Sequence, residues 1–323
     1  MYQENQQKGE SIMNREIDRR TFLRRVGQAG GLIAFGGTIE SLLAACGGNV
    51  STTTGSGTST PGAVHIANKG LKTPGLLQWG ATSDGGAPYV FPDPDHPDQL
   101  VGFEYEIGQA IAKLMGVVSK QVENDYGQME QALLANKFDM VMNGWEKTSD
   151  REKTELFSQA YYRYGQQIVV RADDTRFAQY NASSDLSLTS LEGLTVGTGA
   201  SYKAADILGE DKKITVKLYD PDLPFNDLAA HRIDAVLIDG PIVSYYVLGA
   251  GPGAKPNTAL RSIGKPFRTD DYFVGFNKAN PTAVTLQGEI DQAFDVLKKD
   301  GTLKRIYMKW SMWNDQQAQI AIV

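Results

Sequence analysis

The sequence predicts an α/β protein of layered, largely parallel sheets, and two patterns along the chain predict it. Short β-rich runs recur at Leu76–Ala81 and at 138–143, 167–171, 194–198, 214–219, 234–238 and 272–277. Segments with helical periodicity lie between most of them, and strands alternating with helices argue for α/β layers. No internal repeat is visible, and after the first 45 residues no run reaches the ~20 apolar residues that a membrane helix requires.

The elements follow from local pattern. In Phe103–Met115 the apolar residues Phe103, Ile107, Ile111 and Leu114/Met115 fall at i, i+4, i+8 and i+11, which places them on one helical face. Met129, Leu133 and Leu134 repeat that spacing, as do Ile290, Phe294 and Leu297. Periodicity alone would divide the body into two sequential domains.

The N-terminal region is organised differently. Arg19-Arg20-Thr21-Phe22-Leu23-Arg24 precedes a Gly-rich, mildly apolar run, which ends at Leu43-Ala44-Ala45-Cys46. Charge, then an apolar core, then small residues is the layout of an export signal. The run is short and broken by glycines, so it does not read as a stable membrane span. The arginine pair resembles a twin-arginine signal and Leu-Ala-Ala-Cys a bacterial lipobox. Together they imply a signal peptide over 1–45, cleavage before Cys46 and lipidation of its thiol. A start at Met13 would bring the arginine pair nearer the N-terminus. Residues 47–63 are almost all Gly, Ser, Thr, Pro, Ala and Asn, with little to bury, so 46–69 reads as a lipidated cysteine on a disordered tether. About 17 such residues span roughly 20–25 Å. The expected location is the extracytoplasmic face of the cell membrane, periplasmic or at the cell surface.

Composition excludes several classes. A net charge of −6 with 41% hydrophobic residues fits a soluble globular body and argues against a nucleic-acid binder. With Cys46 taken by lipid no disulfide can form, so packed cores must supply the stability. The three histidines, His65, His96 and His231, lie in separate segments without the spacing of a zinc site, so neither a metal nor a cofactor is expected.

The order of motifs is more specific. Val101-Gly102-Phe103-Glu104-Tyr105-Glu106-Ile107 opens a helix, and Phe138-Asp139-Met140-Val141 leads to Thr148-Ser149-Asp150-Arg151-Glu152-Lys153. Phe157-Ser158-Gln159-Ala160-Tyr161-Tyr162, Leu191-Glu192-Gly193-Leu194-Thr195-Val196-Gly197 and Ile233-Asp234-Ala235-Val236-Leu237-Ile238-Asp239 follow, with Asp300-Gly301-Thr302-Leu303 and Lys309-Trp310 at the end. Over residues 73–311 this series resembles the polar amino-acid-binding family of bacterial extracellular solute-binding proteins (family 3), the receptors of ABC importers. The resemblance implies a two-lobe, Venus-flytrap fold with two crossing hinge strands. Lobe one would comprise 70–165 and 266–323, lobe two 166–265, with ligand between them. It also implies a monomer that delivers an amino acid to ABC permease subunits.

Ligands of α/β sheets gather beyond the carboxyl ends of strands, and four loops meet that description. The first, 81–91, carries Asp84, Tyr89 and Phe91. The resemblance implies an aromatic stacker there, either Tyr89 or Phe91, and packing beneath the loop is the competing role for each. The second, 143–151, carries Asn143, Trp145, Glu146, Thr148 and Arg151. Arg151 matches the family arginine that clamps a ligand α-carboxylate, a task suited to the planar guanidinium fork. Thr148 reads equally as a helix cap. Glu146 stands where relatives carry a small hydroxyl residue, and a carboxylate there repels a ligand carboxylate. It therefore faces either a cationic or amide part of the ligand or solvent, and Trp145 offers a flat wall. In the third loop Thr198, the following N–H groups and Ser201 would meet the carboxylate from the other side. In the fourth, Asp239 matches the family carboxylate for the α-ammonium, with a cap for the helix after it as the structural alternative.

The expected function is a lipid-anchored receptor for a polar amino acid with a basic or amide side chain, and not an enzyme. The alternative is a dehydratase-like cleft enzyme on the same scaffold, with Glu146 as general acid.

Overall fold

The computed structural model describes residues 64–323 apart from 85 and 221; the export signal, Cys46 and most of the tether lie outside the described residues. The described chain starts with β1 (Leu76–Ala81), a small hairpin of β2 (Phe91–Pro92) and β3 (Leu100–Val101), α1 (Phe103–Met115) and β4 (Val118–Glu123). Then come α2 (Met129–Leu134), β5 (Met140–Val141), the single turn α3 (Arg151–Thr154), β6 (Glu155–Phe157) and the long β7 (Tyr162–Arg171). A second group follows: β8 (Thr195–Gly199), α4 (Lys203–Gly209), β9 (Thr215–Tyr219), α5 (Phe225–Ala229), β10 (Ala235–Asp239) and α6 (Gly240–Tyr246). The chain returns through β11 (Leu260–Tyr272) to β12 (Gly275–Asn277), α7 (Ala283–Lys299) and α8 (Thr302–Lys309).

Two five-stranded sheets result, ordered β4-β1-β5-β12-β6 and β11-β7-β10-β8-β9. The protein is therefore an α/β fold of two lobes. The sheets are less parallel than the alternation of elements predicts. β1 is parallel to β4 and β5, and β8 to β9 and β10, but β12 and β7 pair antiparallel with their neighbours. The reason is the connection. β6–β7 and β11–β12 run as a two-stranded ribbon from one sheet into the other, held midway by the Tyr161 N–H on the Tyr272 carbonyl at 2.9 Å. A strand that arrives by such a ribbon needs no crossover helix, so its direction is free to reverse. The β7–β11 register shifts between Ile263 and Phe267 and again before Asp270, which bends the ribbon as it passes between sheets.

Burial agrees with the helical spacing of α1: Phe103, Ile107, Ile111 and Met115 are all buried, and Gly116 closes the helix at φ 66°. Strand β4 gave no apolar signal because its residues are all half-buried or exposed, Val118 being 65% exposed. The 138–143 run contributes only Met140–Val141 as strand, with the residues beyond it turning into the cavity wall. On one side Met129, Leu133, Phe138 and Trp145 pack together. On the far side of the second sheet Ile168, Val170, Val196, Ile207, Leu208 and Leu237 form a separate core. The C-terminal segment ties down the ribbon, with Gln317 accepting the Arg163 N–H at 2.9 Å and donating to its carbonyl at 2.7 Å.

Candidate functional site

Between the two sheets lies a cavity of about 100 Å³. Its wall is built from loops at the carboxyl ends of β1, β4, β5, β8, β9 and β10, where strand geometry brings chain reversals together. Of the residues singled out in sequence, Asp84, Tyr89, Asn143, Glu146 and Asp239 line it. Phe91, Trp145, Thr148, Arg151, Thr198 and Ser201 do not.

The first loop separates its two aromatics. Tyr89 lies against the Phe103 ring at 5.2 Å and its hydroxyl meets that of Tyr272 at 2.8 Å. Phe91, two residues on, points to the opposite side and packs edge-on against Tyr245 and Trp310 at 5.3 and 5.8 Å. Phe91 is thus a core residue, and of the two it is Tyr89 that lines the wall.

The second loop is set by a buried carboxyl group that sequence reading passed over. Glu104, on the first turn of α1, accepts the Gly144 N–H at 2.7 Å and the Tyr161 hydroxyl on the same oxygen. Burial pushes its pKa up to about 7 against those hydrogen bonds. Gly144 sits at φ 58°, and a Cβ there would come within 2.9 Å of the Tyr89 ring, so glycine is required on both counts. This turn directs Glu146 into the cavity and Trp145 away from it. The Trp145 indole donates to Glu155 at 2.8 Å, and its ring carries the Arg151 guanidinium at 3.4 Å on its face. Trp145 is therefore a platform for Arg151 and not a cavity wall. Arg151 is 8% exposed; it donates to the Glu146 carbonyl at 2.9 Å and stands 3.8 Å from the Glu146 carboxylate. Thr148 accepts the Arg151 N–H at 3.2 Å, the capping role. Asn143 lines the wall while its side-chain oxygen accepts the Thr82 N–H at 3.0 Å.

In the third loop Gly199 and Ala200 reach the wall, but the Ala200 N–H already donates to the Tyr219 carbonyl at 2.7 Å. Ser201 is exposed, at φ 63°. Thr198 is fully buried within β8, and its hydroxyl has no hydrogen-bond partner among the described residues. The carboxylate contacts expected of this loop are therefore not presented to the cavity.

Asp239 ends β10 and precedes α6, yet its side chain does not cap that helix. It accepts the Gln166 amide at 2.8 Å and the Tyr272 hydroxyl at 2.5 Å. Glu146 accepts the Tyr164 hydroxyl at 2.8 Å, and Tyr164 stacks on Tyr272 with centroids 4.2 Å apart. Both tyrosines belong to the connecting ribbon, so the hinge itself hydrogen-bonds one carboxylate from each lobe. Burial, then the charge of Asp239, pushes Glu146 up to about 8, against the pull of Tyr164 and Arg151. Burial raises Asp239 to about 6, opposed by its hydrogen bonds from Tyr272 and Gln166.

Sequence reading missed further wall residues: Tyr126, Tyr202, Tyr219, Asp125, Asp220 and Asp222. A signal existed for Asp220 and Asp222, which follow the 214–219 strand at its carboxyl end. None existed for Asp125 and Tyr126, because β4 has no apolar pattern. Tyr126 meets Tyr202 edge-on at 5.3 Å, an aromatic contact from one lobe to the other. The wall thus contains six carboxylates, and among its described residues no Lys, Arg or His.

Comparison with known proteins follows the same line. The family model for bacterial extracellular solute-binding proteins, family 3, matches residues 80–312. The L-cystine-binding protein TcyJ of Escherichia coli is 28% identical over 225 residues, 69% of this chain and 78% of its own. The solved structure of an ancestral arginine-binding protein bound to arginine is 31% identical with a TM-score of 0.61, covering 73% of this chain and 98% of its own. That of the ancestral amino acid-binding protein AncCDT-1, a precursor of cyclohexadienyl dehydratase, is 25% identical with a TM-score of 0.61, covering 73% and 95%. All three carry the names of binding proteins.

Proposed function

The chain belongs to the bacterial extracellular solute-binding proteins of family 3, and from that premise we propose that it is an extracytoplasmic receptor that captures a polar, cation-bearing solute of the amino-acid class between its lobes and delivers it to the permease of an ABC importer. Like its relatives it is a binding protein and not an enzyme. The observation that carries the reading is the cavity wall: Asp84, Asp125, Glu146, Asp220, Asp222 and Asp239, with no cationic side chain among the described lining residues. At an effective dielectric near 20, one further carboxylate ~4–6 Å from such a charge is disfavoured by roughly 3–4 kcal/mol. A ligand with a basic or amide side chain fits this field, and glutamate or aspartate does not.

The ligand contacts we assign are Asp239 for an ammonium group, Glu146 and Asp84 for positive or amide character, Tyr89 as the aromatic surface and Asn143 as a polar contact. Arg151, Trp145 and Thr148 hold the loop that presents Glu146. We assign 70–165 and 266–323 to one lobe and 166–265 to the other, and the working unit is a single copy. Because the wall draws on both lobes, ligand favours whichever lobe arrangement brings both sets of contacts to it.

A thermal-shift panel of the twenty amino acids tests the reading. Arginine, lysine, histidine or glutamine at ~100 times its Kd adds about 2.7 kcal/mol, while the acidic amino acids add nothing. Stabilisation by glutamate above all others would overturn it. The anchor is a separate proposal: the mature protein begins at a lipidated Cys46, tethered through 46–69, and leaves the cytoplasm by the twin-arginine route. Cys46→Ser should release it from membranes, and Lys at positions 19 and 20 should block export. An unmodified N-terminus found elsewhere by mass spectrometry would refute the anchor.

A further inference from the structure

The charges around the cavity do not match a ligand that brings a carboxylate of its own. Recognition of a carboxylate in a buried site requires a guanidinium, an ammonium or free N–H groups. Several of the donors around the cavity are already engaged. The Arg151 guanidinium lies flat on Trp145 at 3.4 Å, donates to the Glu146 carbonyl at 2.9 Å, and has the Glu146 carboxylate 3.8 Å away. The Ala200 N–H donates to Tyr219, the Thr82 N–H to Asn143 and the Gly144 N–H to Glu104. The Tyr164 and Tyr272 hydroxyls donate to Glu146 and Asp239.

The acceptors show the opposite imbalance. Glu146 and Asp239 are 2% and 5% exposed, one from each lobe, and both line the cavity. Four further carboxylates on the wall are exposed to solvent. The side-chain oxygen of Gln166, whose amide N–H donates to Asp239, is buried with no partner among the described residues. Two buried carboxylates with one committed guanidinium behind them leave room for added positive charge and none for added negative charge.

We infer that the ligand is an organic amine without a free carboxylate, such as a diamine or a guanidino-amine, and that Glu146 is the residue that makes this choice. The inference rests on the receptor reading above and narrows it. Glu146 sets the negative charge of the protein beside Arg151, where a ligand carboxylate would otherwise find its partner. The amine then meets Asp239 from one lobe and Glu146 from the other.

Calorimetry on the whole mature protein with matched pairs tests this. Agmatine is arginine without its carboxylate, and cadaverine is lysine without its own. The wild type should bind agmatine and cadaverine at least about tenfold tighter than arginine and lysine. Glu146→Ser, which removes the competing carboxylate, should shrink or invert that preference by a similar factor. Glu146→Gln, closer in shape, should shrink it in the same direction and serves if the serine variant fails to fold. If arginine binds and agmatine binds no tighter, the inference is wrong and the receptor reading stands. If both pairs rank as expected but neither variant changes the ranking, Glu146 is not the discriminating residue and that half is wrong. If no amine and no amino acid binds, the receptor reading fails and the inference falls with it.

Discussion

The loops after β5 and β10 each carry a buried carboxylate to the same cavity, and the two differ in how fully the protein satisfies them. Asp239 has a donor on each oxygen, at 2.8 Å from Gln166 and 2.5 Å from Tyr272. Glu146 has one phenol at 2.8 Å, and its second oxygen stands 3.8 Å from the Arg151 guanidinium. Burial raises both, Asp239 to about 6 and Glu146 to about 8; the charge of Asp239 adds to the rise at Glu146, and hydrogen bonds to the charged form oppose it at each. The lesson is local: carboxylates buried alike differ in how readily they ionise according to the charges and donors their neighbours provide. An arriving cation favours the charged form of both carboxylates, against the burial that raises each of them.

The strongest challenge to the comparison is removal of the charged partner. Asp239→Asn should lower affinity for a cationic ligand by ~2–5 kcal/mol, roughly 30-fold to several thousand-fold, in calorimetry. A loss of threefold or less would show that Asp239 does not touch the ligand.

The titration of Glu146 gives the next largest effect. Its folded value of about 8 lies above its ordinary value of 4.5. Its contribution to stability is therefore fully present below pH ~4.5 and is lost as pH rises through about 8. Burial comes first among the causes, then Asp239; Tyr164 and Arg151 oppose the shift and Asp270 adds to it. Denaturant titration of ligand-free protein at pH 5 and pH 9 should show the wild type losing roughly 2–4 kcal/mol more than Glu146→Gln. Equal losses would mean that Glu146 ionises normally. Saturating cationic ligand should reduce the wild-type loss.

Arg151 sharpens the comparison from behind the cavity. Arg151→Ala removes a stacked, hydrogen-bonded cation and should destabilise the fold by about 2 kcal/mol in the absence of any ligand. A variant of unchanged stability with abolished binding would instead make Arg151 a direct ligand contact. The smallest effect belongs to Thr198, whose buried hydroxyl has no partner among the described residues. Thr198→Val should change stability by no more than about 0.5 kcal/mol and leave affinity unchanged, since no hydrogen bond is lost. A tenfold drop in affinity would place that hydroxyl on the ligand.

Legibility in the sequence followed the range of the interactions involved. The helix Phe103–Met115 was readable because burial of one face imposes its own spacing. Asp239 was legible through its match to the family carboxylate at the end of an apolar strand, with a helix cap as the alternative. Strand β4 was not, since it is an edge strand with neither face fully covered and therefore no apolar alternation. The neighbouring pairs Tyr89/Phe91 and Trp145/Glu146 were equivocal in sequence. Which member faces the cavity depends on a turn at Gly144, on the buried Glu104 beneath it, and on Tyr245 and Trp310 far along the chain.

The sequence by itself determined the α/β class, the motif series of the family and four of the six loops that form the cavity, those after β1, β5, β8 and β10. These depend on periodicity and composition within a few residues. Only the tertiary structure decided that Arg151 lies on Trp145, that the N–H of Ala200 is already bonded, and that ribbon tyrosines Tyr164 and Tyr272 each supply one cavity carboxylate. The physical reason is that a donor, an acceptor or a charge has no fixed role until its partners are known. Here those partners come from segments up to 183 residues apart, as in the Tyr89–Tyr272 pair.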